Sequence, residues 1–201
     1  MYLSKIKLNL ASSFVRKGFN NSEELHKNVQ SFFGTDRLSS KSLYRVQTIG
    51  PNAFLYVLSS KTPSESDNIG DIVGSKDITN FIDSFSNGNI FKFSCLAVPA
   101  KKISSNGGPS KRKFLRSTEE KIEWLNRQSA KSGFEIIGPI EAVSKPNQRV
   151  VKPGSSFDFP VTNFTGLLRI TDSELFKTAY CNGIGPLKAY GVGMIMLMGA
   201  N

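Results

Sequence analysis

His26 is the side chain of this sequence best suited to proton transfer, because it is the only histidine among 201 residues. An unperturbed imidazole titrates near neutral pH and can act there as an acid or a base. One imidazole suffices in principle for cutting RNA, whose 2′-hydroxyl is its own nucleophile, if the protein orients that group and stabilises the charged phosphorane. A partly buried histidine at the edge of a helix face is the alternative interpretation.

Metal-ion and serine-nucleophile chemistry find little support in the sequence. Zinc sites need clustered His and Cys ligands, whereas His26 stands alone and Cys95 and Cys181 lie in unrelated contexts. No Gly-x-Ser-x-Gly elbow accompanies the histidine. We therefore predict an activity that uses neither a metal ion nor another cofactor.

Cysteine usage and hydropathy indicate the compartment. Two cysteines without a CxxC pair or a disulfide framework fit a reducing cytosol. The first ten residues alternate and lack the apolar block of a signal peptide. No apolar run reaches the roughly 18 residues of a membrane span. These features predict a soluble, cytoplasmic protein with no membrane partner.

A glycine-rich loop near the C-terminus, residues 183–193, is the sharpest local pattern. Its glycines and single lysine are Gly183, Gly185, Lys188, Gly191 and Gly193. Glycine lets backbone amides approach a phosphate closely, and a lysine adds charge. The loop follows a predicted helix and precedes a strand, so it is neither a Walker loop nor a dinucleotide fingerprint. Tight packing of the loop explains the spacing equally well.

Charge is unevenly distributed along the chain. Lysine and arginine total 26 against 16 acidic residues, a formal net charge of +10. Acidic residues gather in 65–83, whereas 101–116 contains cations and no acid. The cations of this run are Lys101, Lys102, Lys111, Arg112, Lys113 and Arg116. Such a run favours a polyanion partner, because each phosphate contact releases a condensed counterion, although many charge runs are only solvated faces.

The elements that must position these residues follow from periodicity. In the first half, His26 falls in a helix that Asn20, Asn21 or Ser22 caps and Gly34 ends. The order of elements is βαββαβ, which predicts a ferredoxin-like or RRM-like layer. The other predicted elements are strands 2–10, 42–49, 53–59 and 90–98 and a short helix in 75–85.

The second half shows a similar order after a linker at 99–110. The predicted elements are a basic strand 111–116, a helix from the Ser117 capping box to Gly133, strand 134–143, a polar loop 145–156, one or two strands in 157–170, a helix from Asp172 or Ser173 to Gly183 and strand 193–198. We therefore predict an α+β fold with two tandem ferredoxin-like domains, 1–98 and 99–201. Both domains should have antiparallel sheets with helices on one face.

With these parts in order, the sequence resembles the CasE family, the crRNA-maturation endoribonucleases of type I-E CRISPR systems. The resemblance runs along most of the chain and rests on short segments in family order. They are Met1 to Lys5, His26, Ala97 to Lys101, Lys121 to Leu125, Phe164 to Leu168 and the glycine-rich loop.

The resemblance implies that His26 is the catalytic residue. It implies a repeat stem-loop as substrate, cut at the base of the stem to leave a 5′-hydroxyl and a 2′,3′-cyclic phosphate. The enzyme then stays on the hairpin beside other subunits of the Cascade complex. The RNA-binding residues expected are Lys27, Lys101, Lys102, Lys111, Arg112, Lys113, Arg116, Gly183, Gly185, Lys188, Gly191 and Gly193.

Two positions depart from the family pattern. Glu23 stands where many members have a tyrosine, three residues before the histidine, and Gly34 stands where some have a serine. The group that assists His26 is therefore open: Lys27, or a lysine or serine from elsewhere in the chain. The alternative function is a subunit that grips an RNA hairpin without cutting it, or that chiefly anchors a larger complex.

Overall fold

The structure, a computed structural model, describes residues 1–34, 37–66, 68–105 and 108–199. Within these ranges the backbone forms two four-stranded antiparallel sheets and a separate hairpin. The strands are β1 Tyr2–Leu8, β2 Leu43–Ile49, β3 Asn52–Ser59, β4 Gly70–Asp77, β5 Ile90–Ala97, β6 Ala100–Ser105, β7 Gly108–Phe114, β8 Phe134–Lys152, β9 Ser155–Ile170 and β10 Ile195–Gly199. The helices are α1 Ser13–Asn20, α2 Ser22–Ser31, α3 Arg37–Ser40, α4 Thr79–Asp83, α5 Thr118–Lys131 and α6 Ser173–Asn182, followed by a 3₁₀ turn at Lys188–Tyr190.

Both sheets have the strand order of a ferredoxin-like fold. The first is ordered β2-β3-β1-β4 and the second β10-β5-β9-β8. In each, the first and third strands of the unit form the centre, and the second and fourth lie at the edges. The predicted α+β fold with two ferredoxin-like units is confirmed.

One correctly predicted strand was assigned to the wrong sheet. Residues 90–98 do not complete the first sheet, because β5 pairs with β9 and β10 of the second. The fourth place in the first sheet belongs to β4, an edge strand that pairs with β1. Its sequence, GDIVGSKD, is polar and mostly exposed, so it lacks the alternation of a half-buried strand. The predicted domain boundary between residues 98 and 99 therefore separates β5 from the strands with which it shares a sheet.

Two segments expected to be loops form strands instead. The predicted linker 99–110 contributes to the β6–β7 hairpin, and its middle residues Asn106 and Gly107 lie outside the described residues. The predicted loop 145–156 is the far end of the long β8–β9 hairpin, with a turn at Pro153–Gly154. Both hairpins are polar and largely exposed, so cross-strand hydrogen bonds hold them without the apolar alternation that periodicity detects.

The helices pack where their apolar residues predict. α2 buries Val29, and Phe32 directly after the helix, against Ile6 and Leu55 of the first sheet. α5 and α6 bury an aromatic-rich set in the second unit: Trp124, Leu125, Phe176 and Tyr180. The capping box predicted at Ser117 is confirmed, with Glu120 as its partner.

Arg45 on β2 connects the two sheets. Its Nη1 donates to Ser94 Oγ of β5 at 2.9 Å, and its Nη2 donates to Asn163 Oδ1 of β9 at 3.1 Å. Burial lowers the pKa of this guanidinium below its usual range. The two units are thus joined by a buried cation as well as by apolar contacts.

Candidate active site

His26 lies on α2, whose N-terminus is fastened to β8. The side chain of Asn21 caps the helix by accepting from the Glu23 amide at 3.1 Å, which confirms the predicted cap. The same side chain pairs with the Val151 backbone: Nδ2 donates to the carbonyl at 3.0 Å and Oδ1 accepts from the amide at 2.9 Å. His26 is half-buried, at the edge of the helix face as predicted.

Tyr190 meets His26 from the opposite end of the chain. The two rings stand edge to face, with centroids 6.3 Å apart and planes at 80°. This tyrosine was not among the site residues predicted from the sequence, where its one signal is its place inside the glycine-rich loop. The contact brings that loop to the helix that carries the candidate acid–base residue.

Glu23, one helical turn before His26, joins Tyr190 to a lysine. The Tyr190 hydroxyl donates to Glu23 Oε2 at 3.2 Å, and the same oxygen lies 3.1 Å from Lys152 Nζ at the end of β8. Lys152 Nζ also lies over the Tyr190 ring, 5.9 Å from its centroid. The hydrogen bond to Glu23, followed by that to Tyr190, raises the pKa of Lys152 above its ordinary value. Three distant segments therefore meet beside His26.

Packing accounts for the glycines of the glycine-rich loop. All four have positive φ, and a Cβ at each would press on protein atoms. At Gly185 it would lie 2.9 Å from Cζ2 of Trp124, and at Gly191 it would lie 2.9 Å from Cε2 of Tyr44. At Gly183 and Gly193 it would meet backbone carbonyl oxygens at 2.8 and 2.5 Å. Of the two interpretations left open by the spacing, tight packing is the one these contacts support.

Lys188 points into the same loop. Its Nζ donates to the Gly183 carbonyl at 3.3 Å, and its side-chain carbons cover Gly193. The side chain is half-buried. Its charge thus lies within the loop, and its expected contact with RNA stays a prediction.

The cations of 101–113 form a basic hairpin, defined here as β6 and β7. Antiparallel register places Lys101 opposite Lys113 and Lys102 opposite Arg112, with Lys111 opposite Ile103. These cations are exposed. Like charges directly across two strands are destabilising, so the arrangement works against hairpin stability and favours an anionic partner that would relieve it. Arg116 follows the hairpin and is also exposed.

A small apolar cluster connects the basic hairpin to the site. Its buried members come from β8, β9, the residue directly after β5 and the glycine-rich loop: Val98, Val150, Phe159, Val161 and Val192. Phe114, at the base of the basic hairpin, and Leu187 and Tyr190, in the glycine-rich loop, pack against it. The hairpin, the far end of β8–β9 and the His26 contact therefore share one packed unit, named here the loop cluster.

Lys27 extends from the exposed side of α2. Its Nζ lies 2.8 Å from Glu24 Oε1, and this hydrogen bond raises the pKa of Lys27. The charge of Glu23 also raises the pKa of Lys27 and that of Lys152 lowers it, so Lys27 lies within electrostatic reach of this pair. Its role toward RNA stays a prediction.

Neither a metal-ligand cluster nor a membrane-spanning helix is found in the part of the chain that the structure describes. Within the described ranges, no three His, Cys, Asp or Glu side chains come together as a metal site would require. No helix in those ranges is long and apolar enough to cross a membrane.

Known proteins share this sequence pattern and fold. The sequence profile of the family described as CRISPR associated protein matches residues 1–198. The chain belongs to this family. This match and the relatives named Cse3 together confirm the resemblance to the CasE family.

Relatives of this CRISPR-associated chain cover nearly its full length. The CRISPR-associated endoribonuclease Cse3 of Thermus thermophilus is 25% identical over 217 aligned positions, which span 97% of this chain and 98% of Cse3. A solved structure of CRISPR endoribonuclease Cse3 bound to a 19-nucleotide RNA superposes with a TM-score of 0.83 at 23% identity, covering 98% of this chain and 100% of the other. A chain of a CRISPR RNA-guided surveillance complex in a pre-nicking state gives 0.78 at 21% identity, with 100% of both chains covered.

Proposed function

We propose that this CRISPR-associated protein is a metal-independent endoribonuclease that binds the stem-loop of a CRISPR repeat and cuts the precursor transcript. The structural observation that carries the proposal is the contact between His26 and Tyr190. Through this contact the sole histidine is linked to the loop cluster, against which the base of the basic hairpin packs. The family relationship to an endoribonuclease supports the same activity.

The proposed mechanism uses the nucleophile that RNA itself carries. The 2′-hydroxyl attacks the adjacent phosphorus, and the bond from phosphorus to the 5′-oxygen breaks, which leaves a 2′,3′-cyclic phosphate and a 5′-hydroxyl. His26 exchanges a proton with one of the two oxygens. The protein contributes orientation and stabilisation of the phosphorane charge.

The basic hairpin is the proposed grip on the RNA stem. An A-form stem has a deep, narrow major groove that side chains cannot read, so phosphate contacts and shape dominate its recognition. Lys101, Lys102, Lys111, Arg112 and Lys113 project from both faces of a two-stranded ribbon. We propose that the protein works in the cytoplasm and keeps the cleaved hairpin as a subunit of the Cascade surveillance complex, as the match to such an assembly supports.

A labelled repeat hairpin tests the proposal directly. The purified protein should cut it once, at the base of the stem, and the 5′ product should end in a cyclic phosphate. A 2′-deoxy substitution at the nucleotide before the cut should abolish cleavage and leave binding intact. Cleavage of the deoxy substrate would exclude the 2′-hydroxyl mechanism.

A non-catalytic RNA-binding subunit is the second candidate. One observation favours it: a carboxylate, Glu23, occupies the position beside His26 where the family resemblance leads one to expect a tyrosine. Tight binding of the all-ribose hairpin with no product after prolonged incubation would establish this alternative.

A further inference from the structure

Glu23 is an unexpected residue for a site that is to hold a phosphate. Its side chain is 15% exposed, and its Oε2 is the atom on which Lys152 and Tyr190 converge. The side chain of Lys152 is 43% exposed, so the cation is the outward member of the pair. The carboxylate therefore lies beneath an ammonium group that an incoming phosphate meets first.

We propose that Glu23 is a positioning residue for RNA cleavage, which holds Lys152 and Tyr190 beside His26 so that the Lys152 ammonium contacts the scissile phosphate. The inference rests on the proposed endoribonuclease function and identifies the groups that assist His26. Lys152 is then a catalytic residue. Glu23 and Tyr190 are positioning residues, which act through the groups they contact.

The position of Tyr190 is fixed on both sides of its 3₁₀ turn. Leu187 before the turn and Gly191 after it both have left-handed backbone, with φ of 61° and 77°. The Tyr44 hydroxyl donates to the Ala189 carbonyl at 2.9 Å, which anchors the turn to β2. A rigid loop thus presents the phenol hydroxyl to Glu23 and the ring to His26, as preorganised sites require.

The chemistry assigned to Lys152 is electrostatic. As the 2′-oxygen bonds to phosphorus and the 5′-oxygen departs, the non-bridging oxygens gain negative charge. One of the two protons in transit is exchanged with His26 and the other with water, while Lys152 keeps its own. The raised pKa of Lys152 agrees with this role, because the group stays a cation at neutral pH.

A purely structural role for Glu23 is the competing explanation. The Glu23–Lys152 pair does connect α2 to β8, but Asn21 already makes two hydrogen bonds to Val151 across the same junction. Replacing the carboxylate should therefore leave the junction closed. This makes Glu23→Gln, which keeps the shape and removes the charge, an informative variant.

Single-turnover cleavage at saturating repeat hairpin tests the inference. Lys152→Gln should slow cleavage by about a hundredfold, the usual effect of losing one donor to a developing oxyanion, and Lys152→Arg should restore part of the rate. Glu23→Gln should slow it by about tenfold or more while hairpin affinity stays equal or rises, because a negative charge is lost. Lys131→Gln is the matched control: it removes the same charge from an exposed lysine at the end of α5 and should cut at the native rate.

The double variant separates positioning from structure. If Glu23 acts through Lys152, the Glu23→Gln, Lys152→Gln double variant should be no slower than Lys152→Gln alone, since residues that act as a unit are not additive. Tyr190→Phe, which keeps the ring beside His26, should reduce the rate less than Lys152→Gln. Native rates for Glu23→Gln or Lys152→Gln, or additive losses in the double variant, would overturn the inference. A wild-type protein that cuts no hairpin would instead refute the proposed function on which it rests.

Discussion

His26 and Tyr190 place their rings edge to face with centroids 6.3 Å apart, although one lies in the second helix and the other in the last loop of the chain. The Tyr190 hydroxyl also reaches Glu23, on the same face of that helix. Through Tyr190, the histidine is linked to the loop cluster at the base of the basic hairpin. A side chain suited to proton transfer is therefore held beside the surface best suited to phosphates.

Replacing His26 should impair cleavage of the repeat hairpin much more than binding of the hairpin. General acid–base participation by one side chain is typically worth about a hundredfold to ten-thousandfold in rate. His26→Ala should therefore lower single-turnover cleavage by at least about a hundredfold. Hairpin affinity should change little, because a neutral imidazole adds little beside a net charge of +10. Circular dichroism and melting temperature control for folding, and a joint collapse of affinity and stability would make the residue structural.

The basic hairpin should account for much of the salt-dependent affinity. Alanine at Lys111, Arg112 and Lys113 should weaken binding of the repeat hairpin and flatten its salt dependence by roughly one unit of slope or less per lost phosphate contact. Three exposed lysines elsewhere offer a control with the same charge change: Lys76, Lys92 and Lys131. Equal losses in the two triple variants would show that net charge alone decides, and that the hairpin is only a solvated face.

Cleavage should persist in excess chelator. The described residues contain no group of His, Cys and carboxylate ligands that could hold a metal ion, and the proposed mechanism needs none. The rate of hairpin cleavage should be the same in EDTA as in its absence, at a salt concentration where the RNA stays folded. Loss of activity that one divalent ion specifically restores would contradict the mechanism.

Gly185 should resist substitution more than a glycine of the same backbone conformation elsewhere. Gly185 and Gly154 both have φ of +76°, but only at Gly185 does a Cβ meet another side chain, at 2.9 Å from Trp124; at Gly154 nothing lies within 4 Å. Alanine at Gly154 should lower the free energy of unfolding by about 1 kcal/mol, and at Gly185 by about 1–3 kcal/mol more. Urea unfolding measures both. Equal losses would mean that Trp124 moves aside at little cost.

Cys95 should make stability fall in alkali. Complete burial raises the pKa of its thiol from 9.0 to about 12. The folded state then keeps a proton that the unfolded state loses above pH 9, so this contribution is intact below pH 9 and disappears as pH rises toward 12. Under reducing conditions, the free energy of unfolding of wild type should decline more steeply above pH 9 than that of Cys95→Ala, by up to about 1.4 kcal/mol per pH unit. Parallel curves would contradict the shift.

Much of the fold followed from local pattern. The alternation of β1, the Asn21 cap of α2 and the capping box at Ser117 are decided by neighbours in the chain, so the sequence alone determined them. The same holds for the segregation of charge and for the candidacy of a lone histidine. The similar order of elements in the two halves was enough to predict two ferredoxin-like units.

Tertiary structure alone decided which sheet each strand joins and which groups surround His26. β5 joins the second sheet by pairing with β9 and β10. These partners come much later in the chain, so no local pattern encodes the pairing. The polar strands of β6–β7 and the far end of β8–β9 are held by cross-strand hydrogen bonds rather than by burial. Tyr190 and Lys152 reach Glu23 only through long-range packing, since contacts between distant segments depend on the whole fold and leave no periodic trace in the sequence.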